Sequence, residues 1–167
     1  MRVSQQLIDI DLFPNRNLIY TGYCIKNNRQ ILILINYDKR NKRFEGFTIF
    51  RQREIVEYRN WNEKEISKIK LDNRSHFINM FDFDSMNTFY SCFKVLFKNN
   101  KIIAFFIDNI TESYYEGKII ALNREYVTIK LIDEKGKWTR DLEVSIKNID
   151  YFSFSTEYEE KLAGNST

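Results

Sequence analysis

Along most of this chain apolar residues recur two apart, the period of a strand with one face turned inward, and one such alternating block is written twice. Tyr20 to Tyr37, YTGYCIKNNRQILILINY, returns ninety-five positions later as Tyr115 to Ile132, YEGKIIALNREYVTIKLI. Tyr20 falls on Tyr115, Gly22 on Gly117, Ile25 on Ile120, Leu32 on Val127 and Leu34 on Ile129. Upstream, Ile8, Ile10 and Leu12 fall on Ile103, Phe105 and Ile107; downstream, Asp38 falls on Asp133, Phe47 on Leu142 and Ile49 on Val144. One deleted residue after that brings Ile55 onto Ile149. The expectation is an internal duplication of a small sheet.

The pattern predicts strands over 6–12, 18–26, 30–36, 44–51 and 54–58, and again over 101–107, 114–122, 126–132, 140–146 and 149–154. Pro14 to Asn17, Asn27-Asn28, the polar tip Asp38 to Arg43 and its counterpart Asp133 to Lys137 supply turns. Gly22 stands inside its strand, where a glycine marks a bend or bulge. Ile31 to Ile35 is apolar without interruption, which suits a strand covered on both faces. Asn62 to Lys70 reads as a short helix capped by Asn62. A longer helix follows, capped by Asp84 or Ser85, with Met86, Phe89, Tyr90, Phe93, Leu96 and Phe97 forming its core-facing stripe. Glu157 to Leu162 adds a final helical turn, and 163–167 reads as frayed.

Two domains follow, residues 1–75 and 76–167, each near the size at which a single core is marginal. The only proline is Pro14 and glycines number five, so no flexible spacer separates them. An apolar share of 43% argues for packed cores. No apolar run is long enough for a membrane span, and acidic residues stand where a signal peptide needs its apolar core, which points to a cytoplasmic protein. Cys24 and Cys92 read as buried small hydrophobes. Net charge is +3, yet its distribution is polarised: residues 1–75 carry fifteen Lys/Arg against nine Asp/Glu, and 76–167 carry eleven against fourteen.

A helix followed by short strands, with a bending glycine in the second strand, resembles the Sm-like fold, a small curved SH3-like barrel, here twice over 5–58 and 85–154. The fold class expected is therefore mainly β with one or two helices, arranged as two tandem Sm-like barrels. The texture YTGY, DKRNKRFEGFTIFR and REIVEY in the first copy, and YYEGKII, DEKGKW, KNIDYF and YEEKL in the second, is similar to bacterial tandem Sm-like proteins found among immunity proteins of toxin systems. Neither the acidic-apolar-Asn pocket nor the Ile-Arg-Gly pattern of RNA-binding Sm-like proteins is present in the corresponding loops.

No stretch spells out a catalytic chemistry. His76 has no nucleophile or carboxylate marked beside it, Asp82 and Asp84 sit where helix capping explains them, and phosphate-loop and zinc spacings are missing. The expectation is a non-enzymatic protein without cofactor. The resemblance implies an immunity protein that binds the toxic domain of a bacterial toxin, such as a nuclease, and occludes its active site. Candidate partner-binding residues are the basic hairpin Lys39, Arg40, Lys42 and Arg43 with Arg51 and Arg53, and the acidic Glu157, Glu159 and Glu160 of the second half. The alternatives are an RNA-binding module using the basic hairpin, or a structural subunit of a larger complex.

Overall fold

The computed structural model describes residues 6–12, 18–69, 73–107 and 114–165. The protein is mainly β with short helices, and it divides into two compact units, Met1–Phe83 and Asp84–Thr167. Unit 1 contains β1 (Leu7–Leu12), β2 (Leu18–Asn27), β3 (Ile31–Asp38), β4 (Arg43–Arg51) and β5 (Ile55–Asn60), then α1 (Glu63–Ile66) and α2 (Arg74–Ile78). Unit 2 contains α3 (Phe89–Lys98), β6 (Ile102–Ile107), β7 (Tyr114–Leu122), β8 (Tyr126–Ile132), β9 (Trp138–Ser145) and β10 (Ile149–Phe154), then α4 (Glu157–Asn165). The turn expected at Pro14 to Asn17 lies outside the described residues.

Both units have the same antiparallel order, β5-β1-β2-β3-β4 in the first and β10-β6-β7-β8-β9 in the second. Their registers correspond as well. Gly22 faces Asn36 and the ladder slips between Cys24 and Lys26; Gly117 faces Leu131 and the ladder slips between Ile119 and Ala121. The turns are built alike: Asn28 Oδ1 accepts from the backbone N–H of Gln30 and Ile31, and Asn123 Oδ1 from Glu125 and Tyr126. A short 3-10 turn, Gln52–Glu54 or Ile146–Asn148, precedes the last strand of each unit. The two glycines are required by close approach: a Cβ on Gly22 would lie 2.4 Å from the Ile35 carbonyl oxygen, and one on Gly117 2.3 Å from that of Lys130.

Register moves the deleted residue. Ile35 pairs with Phe47 and Ile33 with Ile49, whereas Lys130 pairs with Asp141 and Thr128 with Glu143. By register Phe47 and Ile49 thus hold the places of Asp141 and Glu143, not of Leu142 and Val144, and the hairpin before β9 is one residue shorter than the one before β4. There, Lys42 takes φ 53° in the longer tip and Gly136 takes φ 78° in the shorter one.

The reason is visible in the faces of the sheets. On the inner face both units are apolar: Ile8, Ile10, Cys24, Leu34 and Phe50 in one, Ile103, Phe105, Ile119, Ile129 and Val144 in the other, all buried. On the outer face, unit 1 presents Tyr23, Ile33, Ile35, Phe47 and Ile49, and unit 2 presents Lys118, Thr128, Lys130, Asp141 and Glu143 at the matching places. The segment 73–83 lies against the apolar outer face of unit 1. Phe47 meets Phe77, Phe81 and Phe83 at ring-centroid distances of 5.6, 5.6 and 5.3 Å, Asn73 exchanges hydrogen bonds with the Phe44 backbone, and Lys26 Nζ donates to the Phe83 carbonyl at 2.8 Å. These contacts put the division at Phe83, beyond the boundary expected at residue 75.

Asn62 caps α1 in a box closed by Glu65, but the helix ends at Ile66 instead of continuing toward Lys70, which lies outside the described residues. The cap of α3 is Thr88, in a box with Ser91, and not Asp84 or Ser85, which belong to a separate 3-10 turn. Asn87 and Thr88 break the run before the stripe of Phe89, Cys92, Phe93 and Leu96 begins, and Phe93 stacks on Phe152 at 4.5 Å. Helix α4 continues to Asn165 where fraying was expected, held by Leu162 against Ile102, Ile132 and Trp138.

Candidate functional site

Unit 2 carries a groove of about 510 Å³ on the outer side of its sheet, lined by Tyr114 and Glu116 of β7, by Asp133, Glu134 and Lys135 of the β8–β9 turn, by Thr139 and by Tyr158 of α4. Strand parity puts Tyr114 and Glu116 on one face, with Gly117 turned the other way. The turn is set by Asp133, whose Oδ1 accepts from the N–H groups of Lys135 and Lys137 at 3.0 and 2.9 Å, with Gly136 in the left-handed region. This leaves Glu134 and Lys135 exposed at the rim.

Glu116 is the chemical centre of the groove. It is only 7% exposed, and the Tyr114 hydroxyl donates to its Oε1 at 2.5 Å. Burial raises its carboxyl above the ordinary range, the charges of Glu159 and Glu134 push the same way, and hydrogen bonds from Tyr114 and Tyr158 oppose them. The hydroxyls of Tyr114 and Tyr158 are both held above the ordinary phenol value, first by burial and then by Glu116. Among the described residues no ion pair includes Glu116.

Unit 1 handles a carboxylate at the same place differently. Asp9 of β1 faces Thr21 of β2, as Ala104 of β6 faces Glu116 of β7, so the acid has moved one strand across. The Asp9 carboxylate accepts from Thr21 Oγ1 at 2.5 Å and from Arg59 at 2.7 Å, and Lys39 Nζ stands 3.3 Å away. Burial would raise its carboxyl, but the bonds from Thr21 and Arg59 outweigh it and hold the group below the ordinary value. In unit 2 the positions of Lys39 and Arg59 are taken by Glu134 and Ser153. Both cations are gone: Glu134, at the Lys39 position, lines the groove, and Ser153, at the Arg59 position, donates its hydroxyl to Glu159.

The candidates read from the sequence are spread over several places. Lys39 is drawn back onto Asp9 and lies 5.5 Å over the Trp61 ring, while Arg40, Lys42 and Arg43 remain exposed at the tip. Arg51 is half-buried at the end of β4, and Arg53 is exposed and bonds Glu54 at 2.7 Å. On α4, Glu157 pairs with Lys161 at 2.8 Å and Glu160 with Lys101 at 2.7 Å. Glu159 is 3% exposed and serves the fold: it accepts from Ser153 Oγ, from the Thr156 N–H and from the Thr156 hydroxyl, so it does not face a partner. His76 is exposed on α2, and both cysteines are buried and free.

Glu116, Glu134 and the tyrosines were not singled out from the sequence, although the spacing Tyr114-Tyr115-Glu116-Gly117 already placed Tyr114 and Glu116 together on the face away from Gly117. Among the described residues no group of three or more His, Cys, Asp or Glu is placed to hold a metal, and no helix is long and apolar enough to cross a membrane. Comparison with protein-family models, curated proteins and solved structures found no match for the chain.

Proposed function

We propose that this chain is a tandem pair of Sm-like barrels acting as a cytoplasmic, non-enzymatic immunity protein: it binds the toxic domain of a bacterial toxin and covers its active site. The corresponding strand orders, registers, ladder slips and turn chemistry of the two units support the duplication. The single observation that carries the functional reading is the acidic, tyrosine-lined groove of unit 2, whose central carboxylate forms no ion pair among the described residues. A nuclease toxin holds phosphates with basic residues, so its active-site face is complementary to this groove, and charge complementarity would steer the encounter. The polarity expected from the sequence thereby favours the acidic half as the contact surface. Lys39 works against the RNA-binding alternative, since its charge is already engaged by Asp9.

The test is to tag the full chain in its native host, recover it with and without RNase, and express any recovered protein alone and with the chain. A protein partner retained after RNase, harmful alone and harmless with the chain, is expected. RNA recovered without such a partner would replace this reading by the RNA-binding one, and a harmless stoichiometric partner would replace it by the subunit one.

A further inference from the structure

In unit 1 the half-buried acid on the outer face, Asp9, is neutralised from within, by Arg59 of the last strand and Lys39 of the hairpin. In unit 2 the acid stands one strand over, on Glu116, with a hydroxyl partner in Tyr114, and the positions matching Arg59 and Lys39 hold Ser153 and Glu134, of which Glu134 lines the groove. A second acid, Asp133, joins Glu134 at the turn, and the two tyrosines, about half exposed, flank the opening. A carboxylate withdrawn from water and without an ion-pair partner attracts a cation more strongly than one in open water, and desolvation of the incoming cation offsets part of that gain. Tyrosine rings beside it add a cation–π surface, and a planar guanidinium can stack on a ring while its N–H fork meets a carboxylate. Lys135 is the one cation among the lining residues, and it forms no ion pair with Glu116.

We propose that the groove between β7, the β8–β9 turn and α4 is a receptor for a single arginine side chain of the protein partner, which supplies to unit 2 the cation that Arg59 and Lys39 supply within unit 1. This rests on the proposed function for the source of the arginine, but the site itself stands on the comparison of the two units. Proton and cation compete for Glu116. The groups that face it are Tyr114 on its own strand, Tyr158 and Glu159 on α4, and Glu134 at the turn. Occupancy therefore rises with pH through the raised value of Glu116.

The experiment is a chemical-shift titration of the full isotope-labelled chain with N-acetyl-arginine N-methylamide, with the equally shaped but uncharged citrulline derivative as control. The arginine probe is expected to move the amides of 114–117 and 133–135 and of Tyr158, and the citrulline probe to leave them in place. Affinity should fall at least about tenfold in Glu116→Gln, a loss of ~1.4 kcal/mol, and as much in Ser153→Arg, which supplies the cation from within. Should Glu116→Gln fail to fold, Glu134→Gln at the exposed rim and Ser153→Arg carry the same comparison.

Equal response to citrulline, or unchanged affinity in the folded variants, overturns the site. Free arginine binding more tightly than the blocked residue would assign the groove to the free amino acid, whose α-ammonium adds a second cation for Asp133 and Glu134, and overturn the protein side chain. The two proposals fail separately. A toxin captured equally by wild type and Ser153→Arg leaves the immunity reading and removes this one; arginine binding without any toxin partner does the reverse.

Discussion

Glu65 and Glu159 hold the same place at the start of their helices, one against an arginine and the other against a serine. Glu65 receives the Asn62 N–H and pairs with Arg59 at 2.8 Å; Glu159 receives the Thr156 N–H and the Ser153 hydroxyl at 2.9 Å. The first is held below the ordinary carboxylate value, by the Asn62 N–H foremost and then by Arg59. The second is raised by burial, which outweighs its hydrogen bonds from Thr156 and Ser153. Ser153 in place of Arg59, together with Glu134 in place of Lys39, thus leaves these acids of unit 2 without the cations that unit 1 supplies.

Stability should be greater at pH 5 than at pH 7.5. Glu116 and Glu159 have folded values raised above 4.5, so the native state holds their protons more tightly than the unfolded chain does. Their contribution is fully present below 4.5 and is lost as pH rises through the raised values. Asp9, Asp38 and Glu65 are lowered, so their contributions persist above 3.8 to 4.5 and disappear only as pH falls through their lower folded values. Urea melts across this range, with Glu116→Gln and Glu159→Gln shrinking the difference, are the check; a difference unchanged by both variants would exclude this origin.

Gly22→Ala and Gly117→Ala should each destabilise by ~1–3 kcal/mol, because the added methyl meets a neighbouring strand's backbone rather than a movable side chain. Gly164→Ala, with nothing within 4 Å in α4, should be neutral or stabilise by up to ~1 kcal/mol. Denaturant midpoints of the three variants decide the matter.

Arg59→Ala should lower stability, because it removes partners of both Asp9 and Glu65 and leaves Asp9 with Lys39 and the Thr21 hydroxyl. Asp9→Asn in the same background should recover part of the loss. Independent additive losses in that double-mutant cycle would show that the pair is not coupled.

Cys24 should resist thiol reagents in the native state. Its side chain is 1% exposed overall with the residue, and burial pushes the thiol up to about 11. Alkylation at pH 8 is expected to be slow for the folded chain and fast in denaturant, with mass spectrometry assigning the modified cysteine.

Strand positions were legible because inner-face residues such as Ile10, Leu34, Phe105 and Ile129 recur at period two, and Gly22 marked a bend or bulge, next to which the ladder slips between Cys24 and Lys26. The hairpin deletion was misplaced because matching apolar to apolar assumes that both faces have the same environment. Phe47 is covered by the rings of Phe77, Phe81 and Phe83 and Ile49 is buried, whereas Asp141 and Glu143 are exposed. Helix α3 was visible in its stripe, but its cap fell to Thr88, since Ser91 at the third helical position could answer it. The acidic groove was less legible: Glu116 becomes notable only when Glu134 and Ser153, far away in sequence, prove to stand where Lys39 and Arg59 stand in unit 1.

The most direct measurement is RNase-treated affinity recovery of the partner with three forms of the full chain: wild type, Glu116→Gln/Glu134→Gln, and a form with Lys39, Arg40, Lys42 and Arg43 made neutral. The account predicts a basic protein partner retained by wild type and by the hairpin variant and lost from the groove variant. Retention by the groove variant with loss from the hairpin variant would contradict it and move the functional surface to unit 1.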